Sequence, residues 1–300
     1  MSAILAITRA GPLASVQDAG RFGQLRHGIS ASGPMDGAAY RLAGALVAAE
    51  HAGIEITMAG LAFRVQSGRC NIGLAGGSFV ARRNGEVVDW PGAVALEAGD
   101  EVSITPGAEG NYGYLRFAGG LLLSPVLGSL ATSSRARLGG VEGRPLQVGD
   151  VLELADASDS LPPASPMPLA ATGPIRFVWG LHADLFAAPL RQAFIDTTFT
   201  ISSRLDRMGV RLDDAAAVFA AASSLTLVSD AIVPGDIQIL GDGTPIVLMR
   251  DHQPTGGYPR IATIISADLD RFAQLRPGST LAFAPVSVAH AQDILRNIPA

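Results

Sequence analysis

Short runs of alternating or apolar residues, each closed by glycine or a polar turn, recur along the chain. They are "EVSITPG", "YGYLRFAGG" and "DVLELAD" in the first half, and "PIRFVWG", "SLTLVSD", "DIQILGDG" and "IVLMRD" in the second. A period of two puts successive side chains on opposite faces of a pleated strand, so one face can be buried while the other stays wet. Strands this short and this closely spaced fold as barrels or sandwiches. With 35 glycines and only 6 % aromatic residues in 300, the composition suits many tight turns around an aliphatic core.

The length allows two ordinary domains. A change of texture at 155–173, "ADASDSLPPASPMPLAATG", rich in Ala, Ser and Pro and without apolar periodicity, reads as a linker. The expected division is a β-barrel module at 1–158, a linker at 159–173 and a second β-barrel module at 174–300. "AGDEVSI" (98–104), "VGDVLEL" (148–154) and "PGSTLAF" (277–283) each set a glycine and a polar turn residue before a strand, an echo that leans towards two similar barrels. Four helices are expected. "MDGAAYRLAGALVAA" (35–49) carries Asp36 in its first turn, and "HADLFAAPLRQAF" (182–194) is expected to break near Pro189. "SADLDRFAQL" (266–275) is expected to take Ser266 as its N-cap, and "VAHAQDILRNI" closes the chain.

Several function classes are disfavoured at this stage. The net charge of −5 supplies no basic face for nucleic acid. The apolar stretches are too short and interrupted to span a bilayer, and the N-terminus lacks the features of a signal peptide. A lone cysteine, Cys70, makes no internal disulfide, so a reducing cytoplasm is the expected location. All 22 basic Lys and Arg residues are arginine. Without lysine the chain holds no P-loop, forms no Schiff base and carries no covalent biotin or lipoate. The five histidines show no metal-ligand spacing, so no metal site is expected.

Two polar segments stand out as candidate sites. The first is "SVQDAGRFGQLRHGISASGPMDG" (15–37), with Gln17, Asp18, Arg21, Ser32 and Asp36 among several glycines. The second, "RDHQPTGGYP" (250–259), follows the apolar run Ile246-Val247-Leu248-Met249 with no spacer. A third, "SRLDRMGVRLDD" (203–214), gathers Arg204, Arg207 and Arg211. Glycine lets backbone approach a ligand, arginine forks onto carboxylate or phosphate, and Asp or His moves protons. Long aperiodic loops in compact domains are uncommon unless they serve a function.

These segments, in this order, resemble one family. "SVQDAGRFG", "SGPMDGAAYRLA", "GGVEGRPLQVGD", "DRMGVRL" and "GDIQILGDGTPIVLMRDHQPTGGYPRIATIISADLDRFAQLRPG" are similar to the KipA family, also called allophanate hydrolase subunit 2 or the biotin-dependent carboxyltransferase A/B family. The resemblance runs from about Thr8 to Phe283. It implies a mainly β fold of two cyclophilin-like β-barrel modules with a few peripheral helices. It implies a subunit of ATP-dependent 5-oxoprolinase, converting 5-oxo-L-proline to L-glutamate, inactive alone and working with a KipI-like B subunit and a LamB/YcsF-like A subunit. ATP is then used by the assembled complex rather than by this chain. The alternatives are a carboxyltransferase subunit of a urea carboxylase-like enzyme, with biotin carried by a partner, or a non-catalytic regulatory binder of a KipI-like protein.

The family's "D-x-Q-T-T-G-G-Y-P" loop falls on Asp251, Gln253, Thr255, Gly256, Gly257 and Tyr258, with Pro254 in place of a threonine. On this resemblance Asp251, Gln253 and Tyr258 are the expected catalytic residues. Arg250, Thr255, Gly256, Gly257, Arg207, Gln17, Asp18, Arg21, Ser32 and Asp36 are the expected substrate-binding residues, for a small amide. Gly257 is expected to need positive φ or a close backbone approach. Asp251→Asn is expected to abolish activity with thermal stability nearly unchanged.

Overall fold

The computed structural model describes residues 2–156, 172–220 and 227–297. It divides into two compact units, Met1–Gly23 with Ala31–Leu169, and Gln24–Ser30 with Ala170–Ala300. Most of the expected 159–173 linker, and the first half of "SLTLVSD", lie outside the described residues. The chain is mainly β, built as two cyclophilin-like barrel modules with helices at their edges.

Unit 1 holds β1 (Ala3–Ala10), β2 (Ser15–Gln17), α1 (Gly37–Ala45), β3 (Gly53–Thr57), β4 (Leu61–Ser67), β5 (Arg69–Gly76) and β6 (Phe79–Arg83). It continues with β7 (Glu86–Val88), β8 (Gly92–Glu97), β9 (Glu101–Pro106), β10 (Tyr112–Phe117) and β11 (Val151–Leu154). One sheet has the order β11-β1-β4-β9-β6-β7, the other β2-β3-β10-β5-β8, and every pairing in both is antiparallel. β1 alternates in burial, covering Ala3, Leu5 and Ile7. These pack with Phe63, Val65, Ile72, Leu74, Ile104 and Phe117 into one aliphatic core. β10 is buried along its whole length because α1 lies over it. α1 also lies close over β5, where Gly73 permits the approach, since a Cβ there would sit 2.0 Å from the Ala43 carbonyl oxygen.

Unit 2 holds β12 (Ile175–Trp179), α2 (Ala188–Asp196), β13 (Phe199–Leu205), β14 (Gly209–Asp213), β15 (Asp230–Ala231), β16 (Asp236–Ile239) and β17 (Pro245–Leu248). β18 (Thr255–Gly256), β19 (Arg260–Ile264), α3 (Ser266–Ala273), β20 (Thr280–Leu281), β21 (Phe283–Pro285) and α4 (Val288–Arg296) follow. Eight strands form a sheet of order β20-β13-β14-β17-β16-β19-β12-β21, in which β12 and β21 alone run parallel, and β15 and β18 form a separate ribbon. The core here is aromatic. Phe194 of α2 meets Phe177, Phe199, Phe219 and Phe283 at centroid distances of 5.3, 5.6, 6.0 and 5.0 Å. Each such ring contributes about 1.5–3 kcal/mol by burial.

The expected helical stretch at 182–194 is broken just before Pro189: a single helical turn at Ala183–Leu185 ends at Phe186–Ala187, and α2 then starts with Pro189 in its first turn, where a missing N–H costs nothing. Two other helix expectations change. Asp36 is the N-cap of α1 and does not lie within its first turn. Ser266 is already helical and Ile265 occupies the N-cap position, with no side-chain cap. Asp268 lies in the first turn, fully buried, and its carboxylate accepts hydrogen bonds from the Arg176 backbone and side chain and from the Arg271 side chain.

Candidate functional site

The loop after β17 is a braced platform whose exposed tips rest on buried charge. β17 pairs on both sides, with β14 and β16, and delivers the chain to Met249, whose N–H donates to the Met208 carbonyl at 2.9 Å. The adjacent "DRMG" folds as a turn, because Asp206 Oδ1 accepts from the N–H groups of Met208 (2.7 Å) and Gly209 (3.1 Å). That turn aims Arg207 at Asp251. Nε and Nη2 donate to the two carboxylate oxygens at 2.9 and 3.1 Å, and the Asp251 N–H donates back to the Arg207 carbonyl at 2.7 Å. Both residues are buried, with exposures of 6 % for Arg207 and 9 % for Asp251. A two-pronged pair of this kind fixes orientation as well as charge.

Beyond Asp251 the chain alternates between buried anchors and exposed tips. His252 is buried, and burial pushes its imidazole below the ordinary value against the opposing pull of the Gln253 carbonyl and of Asp236 and Asp251. Gln253 and Thr255 are exposed, and Tyr258 is 39 % exposed. Thr255 and Gly256 form β18, paired to Ala231 and Asp230 of β15. Gly256 lies over the amide of Gln238, which a Cβ would approach to 2.4 Å, and Gln238 Nε2 donates to the Tyr258 carbonyl at 3.4 Å. Gly257 does not have positive φ. Its constraint is a close approach, a Cβ there lying 3.1 Å from the Leu227 carbonyl, while the Leu227 N–H donates to the Gly257 carbonyl at 2.9 Å. Arg250 is half-buried and reaches Asp270 at 3.5 Å.

The five expected residues of the first polar segment form a separate cluster within unit 1, where each carries structural contacts or sits at a constrained backbone position. Buried Gln17 bonds Ser15 Oγ (3.0 Å) and the Thr132 carbonyl (3.2 Å) through Nε2, and accepts from the Gly33 N–H at 3.0 Å. Asp18 accepts from the Gly20 N–H, Ser129 Oγ and the Leu130 N–H at 2.9, 2.7 and 2.6 Å. Arg21, almost wholly buried, donates to the carbonyls of Val126, Ser129 and Ala131 at 2.8, 3.2 and 2.9 Å. Asp18 and Arg21 thus fasten their segment to residues 126–131. Asp36 is the N-cap of α1, accepting from the Ala39 N–H at 2.9 Å. Ser32 is buried at φ +57°, and among the described residues its hydroxyl has no partner.

Sequence reasoning missed the buried polar partners. Glu55 is fully buried and accepts from the Met35 N–H (2.7 Å) and the Tyr114 hydroxyl (2.8 Å), which itself accepts from the Asp36 N–H at 2.7 Å. Burial, with Glu55 and Asp36 nearby, raises the Tyr114 phenol well above its usual range. In unit 2 the missed residues are Asp236, Gln238 and Arg260. The available signal was a charged or amide residue inside an apolar strand, as in "GIEIT", "YGYLRF" and "DIQIL". No group of three or more His, Cys, Asp or Glu among the described residues is placed to hold a metal ion, and none of their helices is long and apolar enough to cross a membrane.

Two β-barrel modules, with a polar platform after the sixth strand of the second, are the architecture to be placed among known families. The chain belongs to the family described as "Carboxyltransferase domain, subdomain A and B", which matches residues 27–285. It is 35 % identical to the C subunit of 5-oxoprolinase from Escherichia coli K12, over 96 % of this chain and 93 % of that one. To the corresponding protein of Haemophilus influenzae it is 34 % identical, over 95 % and 92 %. Among solved structures it superposes on the urea amidolyase of K. lactis with a TM-score of 0.88 and 28 % identity, covering 98 % of this chain but 19 % of that one.

Proposed function

We propose that this chain is the C subunit of an ATP-dependent 5-oxoprolinase, opening the lactam of 5-oxo-L-proline to L-glutamate. The observation that carries the proposal is the near end-to-end match, at 35 % identity, to a protein of that name and of almost the same length. In the reaction water adds across the ring C–N bond; the carbonyl carbon becomes the side-chain carboxylate and the ring nitrogen becomes the α-amino group. The platform of unit 2 suits such a substrate. The Gln253 amide both donates to and accepts from a lactam, and the Thr255 and Tyr258 hydroxyls lie on the same exposed loop. Asp251, oriented by Arg207, supplies a fixed carboxylate, and Arg250 supplies a cation for the substrate carboxylate. Gly256 and Gly257 keep the ridge low. Within unit 1, Gln17, Asp18, Arg21, Ser32 and Asp36 are proposed as a second set that shapes substrate binding.

ATP, when bound to the assembled complex, supplies the driving force for opening an unreactive lactam. The chain has no lysine and so no P-loop, and the nucleotide is proposed to sit on a partner, a KipI-like or a LamB/YcsF-like subunit working in the cytoplasm. The likeness to urea amidolyase favours one second reading, a carboxyltransferase subunit acting with biotin carried by another protein. The test is glutamate release from 5-oxoproline and ATP by this chain alone and mixed with the two partners. Activity only in the full mixture supports the first reading. Silence there, with carboxyl transfer from a biotinylated partner to urea, replaces it with the second.

A further inference from the structure

Both ends of the platform loop are braced by a buried arginine, and the second brace has no part in the proposed chemistry. Arg260, at the start of β19, is 5 % exposed. Its Nη1 donates to the Ala231 carbonyl at 2.8 Å and lies 3.4 Å from Asp236 Oδ2, and its Nη2 is paired with Asp230. Asp230 and Ala231 are the whole of β15, the strand that holds β18. Asp236 is itself fixed by Thr263 Oγ1 at 2.7 Å and by the Val233 N–H at 3.0 Å. A two-residue strand has too few ladder bonds to persist unaided. The Arg260 guanidinium contacts both of its residues.

We propose that Arg260 is a positioning residue, which locks the β15–β18 ribbon and thereby sets the place of Thr255 and Gly256 on the substrate-facing loop. This rests on the reading of that loop as the substrate-facing element. Three observations support it. The ribbon has no other charged partner beneath it among the described residues. The amides of Leu227 and Ile232, flanking β15, donate to the carbonyls of Gly257 and Pro254 at 2.9 and 3.4 Å, so β15 carries the loop on both sides of β18. Finally, Asp236 pairs with Arg260 independently of Asp230, so the brace can be loosened without stranding a buried charge.

The loosening variant is Asp230→Asn, at a half-exposed position whose loss leaves the Arg260–Asp236 pair intact. Hydrogen exchange read by mass spectrometry should quicken about tenfold in peptides covering 227–232 and 253–258 and stay unchanged in β17. In the assembled complex the KM for 5-oxoproline should rise at least about fivefold with kcat within about twofold, and Asp230→Glu should restore both readouts. Exchange unchanged in 253–258 overturns the proposal, as does faster exchange with an unmoved KM. If the wild-type complex does not act on 5-oxoproline, the functional reading fails and the exchange comparison alone decides the brace.

Discussion

Asp251→Asn removes one charge from the Arg207–Asp251 pair while keeping the volume and one carbonyl acceptor. The pair is two-pronged, at 2.9 and 3.1 Å, and little of either side chain meets water. Removing one charge from a buried pair typically costs about 3–5 kcal/mol. The retained Asn oxygen puts this variant at the low end, about 3 kcal/mol. For a unit of this size that is a fall in Tm of roughly 10 °C. The geometry therefore replaces the expectation from sequence that stability would be nearly unchanged. Guanidinium unfolding followed through Trp179, which lies in unit 2, measures it for Asp251→Asn, Arg207→Met and the double variant. The two single losses should exceed the double-variant loss in sum by about 1.5–3 kcal/mol, the signature of a coupled pair. Single losses below about 1 kcal/mol that simply add would refute the argument. Activity of the variant must be compared at a temperature where it remains folded, since loss of turnover would otherwise report unfolding.

Two further outcomes follow from buried titratable groups. Burial works to raise the Asp268 carboxyl, but hydrogen bonds from the Arg176 side chain and backbone, with the charges of Arg271 and Arg176, outweigh it and hold the group below the usual range. A depressed folded value means its stabilisation is present above the unfolded value of about 3.9 and is lost as pH falls through the folded value. Asp268→Asn should flatten the acid limb of Tm against pH below about pH 4, and an unchanged limb would count against the pair. Cys70 is pushed up to about 12, chiefly by burial and further by Asp100. The native protein should leave this thiol unreacted with iodoacetamide at about pH 8, with full labelling only after denaturation; rapid native labelling would show that the strand opens.

The fold was legible in the sequence where its physics is local. β9 and β10 were read from "EVSITPG" and "YGYLRFAGG", and α1 and α4 fall within "MDGAAYRLAGALVAA" and "VAHAQDILRNI". The break near Pro189 was also legible, whereas Ser266 was misplaced because a serine one position inside a helix looks like a cap. The polar loop after β17 was visible as a break in periodicity. Its supports were not, since Asp236, Gln238 and Arg260 meet the loop only through sheet register, as in the pairing of Gln238 with Arg260. Glu55 and Tyr114 were hidden for the same reason, each lying inside a strand that reads as core.

The order in which unit 1 can close is set by its register. β1 is hydrogen-bonded to β11, Ala3 opposite Leu154, and Arg21 finds its three carbonyls only at residues 126–131. Synthesis at about 5–20 residues per second delivers that partner strand roughly 7–30 s after β1. For that interval β1 can pair with β4 on one edge while its other edge stays unmatched, and that edge is among the last in unit 1 to be zipped.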